Sequence, residues 1–187
     1  MGRIPLHDRP PSCAILRPVI AGAPSPAVTP EAWHDFFIAT TGAAAALAGL
    51  VFVAISINLT QILRFPSLPG RALETILLLI TALLVGIFVL VPGQSPIALG
   101  IELSVLAIGV VTWNAWIQIR TGRVPQAPAR ATVIRTLEVV AALPLVVAGV
   151  GLLAGGGGGL YWTVPAIALL LVVGVANAWV LLVEINR

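Results

Sequence analysis

The residues from Trp33 to Arg64, WHDFFIATTGAAAALAGLVFVAISINLTQILR, decide the fold class. No charge falls between Asp35 and Arg64, so positions 36 to 63 form one uncharged run. As an α-helix rising ~1.5 Å per residue, that run exceeds the ~30 Å hydrocarbon layer of a bilayer. It predicts a transmembrane helix over 36–63. Gly42, Ala45, Ala46 and Gly49 recur at three- and four-residue spacing. A face this small lets neighbouring backbones approach closely where lipid supplies no hydrophobic drive between helices. The helix is therefore expected to be the hub on which the others pack.

Composition points the same way. The 187 residues are 59% hydrophobic and 9% charged, with a mean hydropathy of +1.07; a water-soluble domain carries about 25% charged residues. All ten basic residues are arginine, and with the alanine, glycine and proline content this is the composition of a high-GC bacterial genome. The sequence pI near 10.5 does not imply nucleic acid. The arginines sit in short loops rather than in a stripe, so lipid phosphates are their expected partners. Cys13 stands alone, which excludes a disulfide framework or cysteine metal cluster within one chain.

Residues 1–29 are rich in proline and scattered arginine and are expected to be a disordered tail, leaving 30–187 as a five-helix membrane domain. Thr29-Pro30-Glu31 reads as a helix start, with Trp33, Phe36 and Phe37 as an aromatic belt at headgroup level. Ser67, Pro69 and Gly70 read as a turn. Further spans are expected at about 71–91, 96–119, 129–154 and 162–184, divided by Pro92-Gly93, the arginine-bearing loop after Arg120 and the Gly155 to Gly159 run. Ser95-Pro96 marks the start of the third. The junctions near Arg64/Arg71 and Arg120/Arg135 carry arginine and the other two carry none. By the positive-inside rule the N-terminus lies outside and the C-terminus in the cytoplasm.

The second span opens Arg71-Ala-Leu-Glu74 and the fourth Arg135-Thr-Leu-Glu138; the third ends with Asn114-Ala-Trp116 and the fifth with Asn177-Ala-Trp179. The offsets are 138 − 74 = 64 and 177 − 114 = 63. Near-equal offsets point to a duplicated helical hairpin, so the expected class is an all-α polytopic bundle of one hub helix and two duplicated hairpins.

Polar residues inside the spans are the candidate functional set. Asn58, Asn114 and Asn177 fall about 9 Å inside the arginine-bearing edge, with Glu74 and Glu138 about one turn in. Together they predict a polar layer, acting either as interhelical hydrogen-bond glue or as a vestibule for an ion or polar solute. Glu102 lies about 9 Å from the opposite edge, where an ionised carboxylate is costly without a hydrogen-bond partner or water. That makes it either a neutral buried acid bonded to a neighbouring helix or the candidate for proton or cation handling. Pro144 interrupts the fourth span and frees the carbonyl of Val140, as a kink or a hinge. His34 with Glu31 and Asp35 could loosely bind a cation. No nucleophile elbow, phosphate loop, zinc-protease motif or dinucleotide fingerprint is present, so neither an enzymatic activity nor a cofactor is expected.

The segments Trp33-His-Asp-Phe-Phe37, Gly49 to Leu59, Pro92-Gly-Gln94, Gly159-Leu-Tyr-Trp162 and Asn177 to Arg187 resemble those of a group of small multi-pass bacterial, chiefly actinobacterial, membrane proteins. The resemblance covers most of residues 30–187 and implies a membrane bundle. Some members carry a label as modulators of a membrane-bound AAA protease. Known modulators of that protease resemble Bax inhibitors with more spans and paired aspartates, which this chain lacks. The expectation is a non-enzymatic membrane protein with the bilayer, its own oligomer or another membrane protein as partners. The alternative is a small channel or transporter lined by the polar layer and Glu102.

Overall fold

The computed structural model describes residues 33–65, 68–121, 129–155 and 158–185. The proline-rich tail, the Thr29-Pro30-Glu31 start and the loop around Arg123 lie outside them. Among the described residues the chain forms α1 (His34–Ile57), α2 (Leu59–Arg64), α3 (Leu68–Leu90), α4 (Pro96–Thr121), α5 (Ala129–Leu153) and α6 (Thr163–Ile185), with a 3-10 turn at Gly159–Trp162. Five of these helices are long and apolar enough to cross a membrane, all but the short α2. The described residues are all-helical, and their five long apolar helices make this a membrane protein.

Two boundaries differ from expectation. The first span is not one helix: it breaks at Asn58, whose side-chain Nδ2 donates to the Ala54 carbonyl at 2.9 Å. That carbonyl also receives the Asn58 N–H, at 3.3 Å. A short amide that competes for a backbone acceptor bends the ladder, and α2 starts again from the Asn58 carbonyl. Pro69 and Gly70 belong to α3 rather than to a turn. A proline fits the first helical turn because its missing N–H has no intrahelical partner to lose. Ser95 caps α4 as its sequence implies, its Oγ accepting the Ala98 N–H at 3.1 Å.

The larger correction concerns the hub. α1 buries only 6% of its apolar window, whereas α3 buries 50%. Gly42, Ala45, Ala46 and Gly49 are exposed, and nothing lies within 4 Å of a side chain built on either glycine. α1 packs outside the bundle, against α3. The central helix is α3, whose buried residues Leu68, Ala72, Thr75, Leu79, Ala82, Gly86 and Val89 follow alternating four- and three-residue steps. That is the seam of a helix packed along its length, and Glu74, Leu78, Thr81 and Val85 form a second seam beside it.

The four helices α3 to α6 make the bundle. Its broadest pairings are α4 on α5 and α3 on α6, so each hairpin lies against the other. Exchanging α3–α4 with α5–α6 exchanges these two pairings, as duplicated hairpins require. Small residues do bring backbones together, but here rather than on α1. A methyl added to Gly100 on α4 would stand 3.1 Å from Leu152 Cβ on α5, and one on Gly174 in α6 would stand 2.9 Å from Leu79 Cδ2 on α3. Gly149 on α5 meets Ser104 on α4 more closely still, and Gly86 on α3 meets Thr41 on α1.

At the arginine-free end, Phe37 is fully buried in the apolar core, which corrects its assignment to a headgroup belt. Trp33 stacks edge-on against Tyr161 with centroids 4.9 Å apart, which ties the start of α1 to the turn before α6. Gly155, at φ +72°, ends α5 in a left-handed conformation that a residue without Cβ adopts cheaply.

Candidate functional site

Glu74, Asn114, Glu138 and Asn177 come one from each helix of the bundle, and all four are buried. Glu74 is six residues from the start of α3, Asn114 seven from the end of α4, Glu138 nine from the start of α5 and Asn177 eight from the end of α6. At ~1.5 Å per residue they lie about 9 to 14 Å from the arginine-bearing end. The antiparallel hairpins place them there: each glutamate is near the start of its hairpin's first helix and each asparagine near the end of the second.

Two of them are in direct contact. Asn177 Nδ2 donates to Glu138 Oε1 across the α5–α6 interface at 2.5 Å, with Glu138 fully buried and Asn177 4% exposed. Bonding to a neighbouring helix offsets the cost of holding an amide and a carboxyl away from water. Glu74 and Arg71 are also engaged. The hydroxyls nearby bond within their own helices: Thr75 donates to the Arg71 carbonyl at 2.8 Å and Thr81 to that of Leu77 at 2.6 Å. They are satisfied locally and do not extend the polar layer.

Beyond this layer the interior is mostly apolar, with Thr81 and Thr163 buried in it and bonded to carbonyls of their own helices or turns. Leu78, Ala82, Ala141 and Leu170 fill the middle of the membrane domain, and Val85, Leu103, Leu145 and Ile167 fill it toward the arginine-free end, each at most 2% exposed.

Asn58 does not join the set. It is half-buried and bonded to its own helix, where it makes the α1–α2 break. Glu102 stands apart on α4 near the arginine-free end, half-buried, with a buried Oε2 that makes no hydrogen bond among the described residues. α5 runs unbroken through Pro144. His34 and Asp35 are exposed, Glu31 lies outside the described residues, and among those described no three His, Cys, Asp or Glu side chains assemble as metal ligands.

The structure adds two features that the polar shortlist passed over. Thr41 Oγ1 and Gln94 Oε1 are buried without a hydrogen bond among the described residues. Trp113, Trp116 and Trp179 are exposed toward the arginine end, and Tyr161 and Trp162 toward the other. Trp162 and Trp179 are 17 residues apart on one apolar segment, about 26 Å along a helix, which suits two membrane interfaces. No protein-family model, curated protein or solved structure matches the chain.

Proposed function

We propose that this is a non-enzymatic protein of the bacterial plasma membrane that works through a membrane partner or its own oligomer, with its N-terminus outside and its C-terminus in the cytoplasm. The observation that carries this reading is the closed Glu138–Asn177 contact beneath a packed apolar interior. A water-lined path needs polar groups facing an open lumen, whereas Glu138 Oε1 is taken up by Asn177; the buried Glu138 Oε2 accepts no hydrogen bond among the described residues. The exposed face of α1, with Gly42, Ala46 and Gly49 on a helix that packs mainly on α3, supports association with another helix. The orientation rests on the arginines at 64, 71, 120, 123, 130, 135 and 187.

A second reading, a small ion or proton conduit, draws on the buried carboxylate oxygens that accept no hydrogen bond among the described residues, Glu102 Oε2 first and Glu138 Oε2 with it. The two are separated with purified protein in proteoliposomes. The first predicts proton and potassium flux no greater than in empty vesicles, and cross-linking in native membranes of a cysteine placed at Ala46. Flux that disappears in Glu102→Gln would establish the conduit and sink the first reading.

A further inference from the structure

We propose that the groove between α1 and α6 at the arginine-bearing end seats a segment of one acyl chain of an anionic phospholipid, with its phosphate on Arg64. The hollow has a volume of about 150 Å³. Its walls are Leu50, Val51 and Ala54 on α1 and Ala178 and Leu182 on α6, and Ile62 of α2 contributes to its base. Every one of these side chains is apolar. The hollow is a half-open groove rather than a sealed cavity, and its lining offers no polar partner to a water molecule. Here it sits between two membrane spans whose rims, Leu50 and Leu182, are exposed on the outside of the bundle, so hydrocarbon is the medium that reaches it.

The groove is a consequence of the Asn58 break. The side chain of Asn58 ends α1, and α2 turns so that Ile62 is buried with Leu68, Ala72 and Leu181. Ala54 and Ala178 leave space on the facing walls where larger residues would close it.

Depth and charge select the ligand. Leu50 precedes Arg64 by 14 residues and Ala54 by 10, about 21 and 15 Å along a continuous helix and less across the break. One leaflet of hydrocarbon is about 15 Å deep. A chain lying in the groove therefore ends with its headgroup at the level of Arg64. That arginine is exposed and closes α2 two residues beyond Ile62. A guanidinium in this position matches a phosphate oxygen pair, and an anionic headgroup better than a zwitterionic one.

The test uses full-length protein in nanodiscs of phosphatidylcholine and phosphatidylglycerol, with retained lipid counted by native mass spectrometry after gentle extraction. Wild type is expected to retain one phosphatidylglycerol in preference to phosphatidylcholine. Arg64→Gln is expected to reduce that preference about fivefold, the effect of about one basic residue on an anionic lipid. Ala178→Phe, which fills the hollow, is expected to lose both lipids, and Ala54→Leu repeats the test from the other wall. Val172→Phe, on an exposed part of α6, serves as control and is expected to change nothing. Circular dichroism shows whether each variant remains helical. The proposal is overturned if a folded groove-filling variant retains lipid as wild type does, or if wild type and Arg64→Gln hold the two lipids alike.

Discussion

Glu138 and Asn177 are the residues on which the bundle's polar layer turns. In lipid, cross-helix hydrogen bonds contribute modestly, about 0.6 kcal/mol on average and up to about 1.7, because an unfolded span also finds partners. Glu138 is fully buried, so removing Asn177 leaves a carboxyl short of a donor it cannot replace with water. Asn177→Leu is expected to lower stability by about 1 to 2 kcal/mol in denaturant titrations of micelle-embedded protein. A double-mutant cycle with Glu138→Leu is expected to give a coupling near 1 kcal/mol. A coupling of zero would mean that the contact adds nothing to the fold. Asn58 predicts a geometric effect instead. In Asn58→Ala, spin labels at positions 47 and 63 should move apart toward about 24 Å, the span of 16 residues in a continuous helix.

At the scale of elements, the contrast lies between two sets of small residues. Gly149 abuts Ser104 at the α4–α5 interface, whereas Gly42 faces open space. Gly149→Leu is expected to cost about 1 to 3 kcal/mol through overpacking. Gly42→Leu should leave the monomer's stability unchanged within about 0.5 kcal/mol, while weakening association if α1 is the docking face. Equal losses in the two variants would contradict the packing described here.

The same contrast shows what the sequence could reveal. Span number was legible because uncharged runs bounded by arginine and proline leave few places to divide the chain. The depth of Glu74, Asn114, Glu138 and Asn177 was legible because the motifs repeat at nearly equal offsets. The central helix was not legible. A membrane helix is apolar on its lipid face as well as its packed face, so periodic hydrophobicity carries little information. The small-residue stripe on α1 looked like an interface without saying to what. The real signal was in α3, where Glu74, Thr75 and Thr81 share the buried side. Asn58 misled for a related reason: an amide can bond across helices or to its own backbone, and spacing alone does not choose.

For the whole molecule, the account rests on five crossings with every arginine-bearing junction on one membrane face. The closed bundle, the common depth of the polar layer and the lipid groove beside Arg64 all presuppose it. The most direct measurement is labelling of single cysteines by a membrane-impermeant maleimide in intact and permeabilised cells, in a Cys13→Ser background. Cysteines at Ser67 and Gln126 are predicted to react only after permeabilisation, and those at Gln94 and Gly157 in intact cells. Labelling that places 67 and 126 on opposite sides of the membrane would contradict the account.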